Sequence, residues 1–458
     1  MSLIIGKIEG SYIGRVIKDK NFYYLYSYVN GEYKVKNESG KDLGERMDVQ
    51  MRSLDQDNRN TQNGNSMLKV AEGAVANTVE IISTLKEKVL NAANDTNTDS
   101  DRSQIQKELD QMVDQIDDNA NVTYNGKYLV DGSHNKKVTG VDPLDPSALT
   151  GEGTFTHLTN RSFHSETEES TKLTDLRDST GRNLGIQIGD TITVSWVKEG
   201  KTNILSYTVG DGTAALGPKL SLGDLFLGTN GKRIAGDSVL GDDIVVSNTN
   251  NEIGYNSSAN MLLTPDYQPA VTYRSKVAGV DGQISGLTIC VTDKDGNINK
   301  SANAVLDNFE ESIRAENESA DNAIVLQTGT KANQAIKVGL SDMRATALGL
   351  KAKEGSTLNI STQKFANAAI NVLDTALQKC LAQQTTIGAV ESRLEYTSQN
   401  LTTASENTQS SMSTIRDADM AAEMTAYTKN NVLLQYKDNL LDKALLENTK
   451  DKVTTLVV

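Results

Sequence analysis

Histidine and cysteine are the residue types that could give this chain metal-binding or nucleophilic chemistry. The three histidines, His134, His157 and His164, are unevenly spaced in loop-like sequence, so we expect solvated loop residues rather than metal ligands. The helical zinc motif His-Glu-x-x-His does not occur. Cys290 lies in a strand-like stretch and Cys380 in a helical one, so both should pack as small buried hydrophobes in different domains.

Two glycine-containing stretches resemble ligand-binding loops only in part. Residues 293–297 alternate acidic residues as a calcium loop does, but the glycine is fourth rather than sixth and no glutamate stands twelfth. Gly231-Lys232 is followed by Arg233 instead of Ser or Thr, which argues against a phosphate-binding loop. We therefore predict a simple turn at 293–297, no catalytic residues, no metal and no cofactor.

Charge and composition argue against several other classes. The 458 residues carry a net charge of −14, whereas a nucleic-acid-binding protein usually has a basic surface. No run of about 20 apolar residues is present to span a membrane. Only 37% of the residues are hydrophobic and 5% aromatic, so stability should come from many small apolar contacts, as in thin helical bundles.

Proline and glycine divide the chain into two helical flanks and a β-rich middle. Long flanks without proline can form long helices, because proline in a helix interior costs about 3 kcal/mol. Residues 132–300 are rich in Gly, Asp, Asn, Thr and β-branched residues. All five prolines lie in this middle stretch, at Pro143, Pro146, Pro218, Pro265 and Pro269.

Both flanks repeat apolar residues every seven positions, which is typical of helices that pack along a seam. We predict a helix over about 45–93, a second helix capped by Ser100 or Asp101, and a turn at Asn125-Gly126. A bundle within one chain and a rod that also packs against other copies both fit this pattern. The predicted seam residues are Leu68, Val75, Ile82, Val89, Ile387, Leu394, Leu401 and Ile415.

The middle predicts strands from period-two alternation. A strand at 191–196, a turn at 198–201 and a return strand at 204–209 form one predicted hairpin. A strand at 284–291 and the turn at 293–297 suggest another. After these we predict a short helix around Val305, Leu306, Phe309 and Ile313, and then a hairpin of 324–327 with 336–340.

Several short strings are more specific than the heptads. In chain order they include Ser53-Leu54-Asp55-Gln56, Ala71-Glu72-Gly73-Ala74, Asn91-Ala92-Ala93-Asn94, Tyr124-Asn125-Gly126, Ile387-Gly388-Ala389-Val390 and Ile415-Arg416-Asp417-Ala418-Asp419-Met420. Together they resemble bacterial flagellin over about 44–132 and 320–435, with the closest likeness to flagellins of the Selenomonas kind. The resemblance implies a structural subunit of the flagellar filament, which polymerises with other flagellin subunits and is no enzyme.

The resemblance also implies a fold for the protein and a route by which it is exported from the cell. The expected fold class is α+β, a long helical rod bundle formed by the N- and C-terminal limbs with an inserted β-rich variable domain. A flagellin is exported unfolded by the type III export apparatus with an export chaperone, and it is secreted to the extracellular filament. The expected domains are a head (1–43), N-terminal rod helices (44–131), the variable insert (132–300), a returning helix and hairpin (301–355), the C-terminal rod helix (356–435) and a tail (436–458).

The two ends depart from the family pattern. Residues 2–36 are basic and tyrosine-rich with an Asn30-Gly31 turn, which predicts a β-meander in place of the usual inner-core helix. After Gln435 the family's Ala/Gln-rich ending is missing. Because both ends serve export or the inner coiled coil in the family, we expect the rod to fold while assembly is impaired or altered. The head could bind a surface, polysaccharide or nucleic acid, or have no selected role.

An alternative function is a non-polymerising secreted relative that acts as an adhesin or an immune-modulating surface protein. Flagellins that activate the host flagellin-sensing Toll-like receptor present an Arg, a Leu and a Glu from the rod helices. The resemblance places these positions at Thr84, Lys88 and Glu108, so only Glu108 is retained. Loss of the guanidinium and of the apolar contact predicts weak or absent receptor activation.

Overall fold

The computed structural model describes two compact units, residues 1–63 with 327–335 and 394–458, and residues 64–326 with 336–393. The described backbone comprises 2–4, 7–8, 11–12, 15–19, 22–29, 32–35, 38–138, 153–213, 219–227, 231–236, 240–246, 263–265 and 270–454. Side chains are described in these ranges except at 2–42, 227, 245–246, 416–420, 422–423, 444–445 and 447–454.

The N-terminal backbone forms short antiparallel strands. They are β1 (Ser2–Ile4), β2 (Lys7–Ile8), β3 (Ser11–Tyr12), β4 (Arg15–Asp19), β5 (Phe22–Val29) and β6 (Glu32–Val35). One sheet has the order β1-β4-β5-β6, and β2 pairs with β3. Consecutive pairing from β4 to β6 is the connectivity of a meander.

Three long helices dominate the rest of the chain, namely α1 (Glu38–Ala92), α2 (Asp99–Ala120) and α6 (Gln363–Thr454). α1 begins earlier than the predicted residue 45, and neither Gly64 nor Gly73 interrupts it. At Gly64 a Cβ atom would lie 2.7 Å from Leu326 Cδ1, so glycine permits that close approach. None of the helices described here holds an apolar stretch long enough to cross a membrane.

The start of α2 differs from the prediction that Ser100 or Asp101 caps it. Thr98 is the cap, and its Oγ1 accepts a hydrogen bond from Asp101 N at 3.3 Å. Asp101 Oδ2 in turn accepts from Thr98 N at 2.9 Å, which completes a capping box. Asp101 thus serves at the third helical position. The buried Arg102 donates from Nε to Ala92 O at 2.8 Å, and so occupies a carbonyl at the end of α1.

A four-stranded antiparallel sheet organises the insert, in the order β12-β11-β10-β15. Its strands are β10 (Thr191–Lys198), β11 (Lys201–Thr208), β12 (Lys232–Ala235) and β15 (Ile284–Thr292). The predicted hairpin at 191–209 is confirmed, and its turn has positive φ at Glu199 (49°) and Gly200 (70°). The helices α3 (Leu222–Leu227) and α4 (Leu240–Asp243) belong to the same region.

The second sheet of the insert has the order β13-β14-β9-β16. Its strands are β9 (His157–Asn160), β13 (Ile244–Val246), β14 (Val271–Ser275) and β16 (Phe309–Ile313). A buried cluster joins side chains of both sheets and of α3, among them Trp196, Tyr207, Phe226 and Tyr273. The insert therefore has a hydrophobic core of its own.

Two predictions about the end of the insert are wrong. The turn at 293–297 forms, but a single bridge from Thr292 to Ile298 replaces the expected hairpin. The chain then enters α5 (Lys300–Leu306), because Asn299 caps it by accepting from Ala302 N at 3.1 Å. The predicted helix stops there. Residues 309–313 form β16 instead, since the edge of β9 offers backbone pairing.

Two short hairpins complete the fold. β7 (Thr123–Tyr124) and β8 (Lys127–Tyr128) flank the predicted turn, where Asn125 and Gly126 have φ of 50° and 77°. β17 (Ile324–Gln327) pairs with β18 (Ala335–Val338), as the alternating pattern predicts. The chain is thus α+β, with helical limbs on either side of a β-rich middle.

Candidate assembly surface

Within the described residues, the three histidines belong to no cluster that could bind a metal ion. His157 is buried on β9, between two neighbouring strands, so the prediction of a solvated loop residue is wrong for it. His164 Nδ1 lies 3.9 Å from Glu166 Oε2, and His134 is half-buried with Nδ1 3.2 Å from Asn322 O. Across the described ranges, no cluster of three or more His, Cys, Asp or Glu residues could hold a metal ion.

The two cysteines are held as thiols by their surroundings. Cys380 is buried on α6, and burial raises the pKa of its thiol to about 12. Cys290 is half-buried on β15, where burial also raises the pKa of the thiol. A thiol with a raised pKa is a poor nucleophile at neutral pH, since the thiolate is the reactive form.

The acidic turn after β15 uses its oxygens internally. Asp293 Oδ1 accepts from the backbone N of Asp295 at 2.9 Å and of Asn297 at 2.8 Å, and Oδ2 accepts from Asn297 Nδ2. These hydrogen bonds from Asn297 lower the pKa of the carboxyl. The arrangement is a turn closed by its own side chain, as the sequence predicts.

The helical limbs bury most of the predicted seam. Leu68, Val75, Ile82, Val89, Ile387 and Leu394 have no exposed surface, Leu401 is 9% exposed, and Ile415 is half-buried. Between them Thr78 is buried with its hydroxyl donating to Ala74 O at 3.0 Å, so the polar seam position is satisfied within α1. The seam is therefore narrow and built of small side chains.

Polar contacts join α1 to α6 in each unit. In the unit that contains residues 64–326, Lys86 of α1 pairs with Asp374 of α6. In the other unit Asn58 donates to Thr402 Oγ1 at 3.2 Å and accepts from Ser398 Oγ at 2.6 Å. Side-chain hydrogen bonds between small polar residues thus supplement apolar contacts between these helices.

The polar face of α2 holds the segment that leads back to α6, a feature that sequence reasoning missed. Asp117 Oδ1 accepts from Ala345 N at 2.8 Å, and Asp114 Oδ1 accepts from Lys351 Nζ at 2.7 Å. Gln106 Oε1 accepts from Ile360 N at 2.7 Å. In the sequence, the only indication of these contacts was the spacing of the polar residues along one face of α2.

A stripe of large apolar side chains remains exposed on the C-terminal part of α6. Val432, Leu433, Tyr436 and Leu440 are 60%, 50%, 65% and 51% exposed. Val432 and Leu433 are adjacent, and Tyr436 and Leu440 follow them at separations of three, four, seven and eight residues, so the four lie on one side of the helix. We call these four residues the α6 stripe. Contiguous exposed apolar surface is a feature of protein–protein interaction sites.

The position that matches a receptor contact is engaged within the chain. Glu108 of α2 pairs with Lys88 of α1, with 57% and 33% of their side-chain surfaces exposed. Thr84 donates from Oγ1 to Glu80 O at 3.0 Å along its own helix. The structure therefore brings the three positions onto neighbouring helices, but the carboxylate already has a cationic partner.

Helical limbs at both ends of a β-rich insert are the arrangement that was compared with known protein families. Two family models match the limbs, the bacterial flagellin N-terminal helical region at residues 37–135 and the C-terminal helical region at residues 370–456. A flagellin of Clostridium tyrobutyricum is 30% identical over 407 residues, which cover 89% of this chain and 87% of that protein.

Two further relatives extend the comparison. A flagellin of Aquifex pyrophilus is 25% identical over 456 residues, covering 87% of each chain. A flagellin of Bacillus subtilis is 38% identical over 138 residues, 26% of this chain and 45% of that protein. The chain belongs to the bacterial flagellin family. It is a structural subunit of the flagellar filament, which lies outside the cell.

Proposed function

We propose that this chain polymerises with copies of itself through the α6 stripe, after export by the type III apparatus with an export chaperone. The observation that supports this contact is the exposure of four large apolar side chains on one helix side. Burial of this surface against another copy would be favourable at about 25 cal/mol per Å² of apolar surface. The seam residues then serve to hold α1 and α6 in the geometry that presents the stripe.

Charge placed in the stripe tests this contact. We expect the double variant Val432→Glu with Leu440→Glu to raise the critical concentration for seeded growth by about a hundredfold or more, because a buried unpaired charge costs about 3–5 kcal/mol. Light scattering during seeded growth measures it. Asp438→Lys, which alters the charge on the other side of the same helix, is the matched control. Equal growth of both variants would contradict the proposed contact.

The unusual head and tail bear on the form of the assembly. Antiparallel strands precede α1 where a family member would continue its helix, so an inner coiled coil cannot form there in the ordinary way. We therefore expect subunits that fold and assemble into altered or short filaments. Ordinary straight or supercoiled filaments grown from seeds would contradict this. The comparisons do not favour the non-polymerising adhesin or immune-modulating alternative.

We also propose that the chain catalyses no reaction. Membership of a structural family supports this, as does the burial that keeps both cysteines protonated. Native mass spectrometry of the purified chain tests it, and a stoichiometric bound metal or cofactor would overturn the proposal.

The host flagellin-sensing receptor is a weak partner under our proposal. Thr84 supplies no guanidinium, and Lys88 neutralises Glu108 by pairing with it. We expect the double variant Thr84→Arg with Lys88→Leu to activate receptor reporter cells at a dose about tenfold lower, since hydrogen bonds to charged groups contribute about 1.5–3 kcal/mol. Lys107→Leu, beside Glu108, is the control. Full potency of the unchanged chain at subnanomolar dose would refute weak binding.

A further inference from the structure

A polar cleft with a volume of about 480 Å³ lies between the β10–β11 hairpin and the segment that leads into α6. The hairpin lines it with Thr202 and Asn203, and the returning segment lines it with Ser356, Asn359 and Phe365. All five residues belong to the same compact unit. We call this the hairpin cleft. Its volume lies in the range of small-molecule sites, which is about 300–1,000 Å³.

The turn of the hairpin is packed closely against the returning segment. Gly200 has a φ of 70°, and a Cβ atom there would lie 2.9 Å from Ala352 N and 3.1 Å from Ser356 O. Only glycine permits this approach of the two backbones. Beside it, Lys201 Nζ lies 3.3 Å from Glu354 Oε2. The two sides of the hairpin cleft are therefore held together by backbone packing and by an ion pair.

The charged groups of the hairpin cleft are already balanced. Lys198 Nζ lies 2.7 Å from Asp243 Oδ1, and Asp243 Oδ2 accepts from Trp196 Nε1 at 3.1 Å. Lys201 has the carboxylate partner described above, and the exposed Glu199 adds a further negative charge. Among the described residues that line the cleft, both lysines are thus neutralised. An anion would find no unpaired cation there, so the cleft favours a neutral ligand.

The uncharged groups of the hairpin cleft are hydroxyls, amides and one aromatic ring. Thr202 is 7% exposed, and its Oγ1 makes no hydrogen bond within the described residues. A buried hydroxyl without a partner is costly, and a hydroxyl of a bound molecule can satisfy it. Asn359 accepts from Ser361 N through Oδ1 at 2.8 Å, so its Nδ2 group can still donate. Phe365 adds a half-buried ring.

We propose that the hairpin cleft binds a short neutral saccharide. A sugar ring carries hydroxyls around its edge and C–H groups on its faces, and an aromatic face attracts such positively polarised hydrogens. Phe365 would contact the sugar face, while Thr202 and Asn359 would bond its hydroxyls. The site shares no residue with the α6 stripe. Saccharide binding is therefore a property of the insert that does not depend on the proposed polymerisation contact.

Saturation-transfer difference NMR of the purified full-length chain tests the site, with cellobiose, lactose, mannobiose and diacetylchitobiose as probes. We expect at least one of them to bind. Phe365→Leu should weaken its binding by about tenfold, because leucine keeps apolar volume but lacks the ring. Tyr128→Leu removes an aromatic ring that is 48% exposed and does not line the cleft. This matched control should bind like the wild type.

A second variant and a second ligand make the test independent of any folding defect in Phe365→Leu. Asn359→Ala changes an exposed side chain and should also weaken binding. The uronic acid form of the disaccharide that binds, in which a carboxylate replaces a primary hydroxyl, should bind more weakly than the neutral form. No binding of any of the four disaccharides, wild-type affinity in both cleft variants, or tighter binding of the acid would overturn the proposal.

Discussion

The seam between α1 and α6 and the core of the insert are stabilised by different kinds of side chain. All five fully buried aromatic side chains among the described residues, Phe163, Trp196, Tyr207, Phe226 and Tyr273, lie in the insert. The seam instead uses Leu, Ile, Val, Ala and Thr. The insert can therefore stabilise itself with a compact aromatic core, while the limbs hold together through many small contacts along their length.

This difference shows where a chain with few aromatic residues buries them. Aromatic residues are 5% of the chain, and the insert places them against one another, with Phe226 stacked on Tyr273 at a centroid distance of 3.6 Å. A thin seam leaves the outer sides of α6 free of its own chain, and there the α6 stripe lies exposed. The limbs are thus suited to contacts with other copies in a way that the insert core is not.

Removal of an aromatic side chain from the insert should have the largest effect on stability. We expect Phe226→Ala to lower the free energy of unfolding by about 3–5 kcal/mol, because the cavity borders Tyr273 and Phe309 and cannot close fully. Urea unfolding followed by Trp196 emission measures it. Ile298→Ala, at a residue that is 60% exposed, should cost almost nothing. A loss below 1 kcal/mol for Phe226→Ala would contradict the proposed difference between the insert core and the seam.

Truncation in the seam should cost less. We expect Ile82→Ala to lower the free energy of unfolding by about 2–3 kcal/mol, since small neighbours let the helices close part of the cavity. Helical circular dichroism during urea unfolding is the measurement, with Leu90→Ala on the same helix, 49% exposed, as the control. A cost as large as that of Phe226→Ala would show that the seam is packed as rigidly as the insert.

Loss of the α2 cap should have the smallest effect of the three. Thr98→Ala removes the hydroxyl that accepts from Asp101 N, and we expect a loss of about 1 kcal/mol. Thr96→Ala, outside the helix, serves as the comparison, and thermal unfolding followed by circular dichroism is sufficient. The interpretation of Thr98 as the cap would be untenable if the two variants were equally stable.

Features set by periodicity were predictable from the sequence, and features set by distant contacts were not. Seven-residue spacing located α1 and α6, and period-two alternation located β10 and β11, because local spacing decides which side of an element is buried. His157 looked like a loop residue, yet it is buried because β14 and β16 pair on either side of β9. Phe309 continued an apparent helix but joined β16, where pairing with β9 prevailed over local propensity.

The candidate assembly surface was predictable only in part. The seven-residue spacing predicted the buried residues of the limbs. For Leu68 and Ile387 this spacing was sufficient to predict burial. Ile415 follows the same spacing but is only half-buried. The α6 stripe and the Lys88–Glu108 pair depend on which surfaces the folded chain leaves open or brings together, and spacing alone does not fix this.

The central claim is that this flagellin is a filament subunit whose α6 stripe contacts another copy. Electron microscopy of the purified full-length chain after addition of filament seeds tests it most directly. We predict that the wild-type chain extends the seeds, in an altered form, and that Val432→Glu with Leu440→Glu does not. A wild-type chain that stays monomeric beside unextended seeds, or a double variant that extends them equally well, would contradict the account.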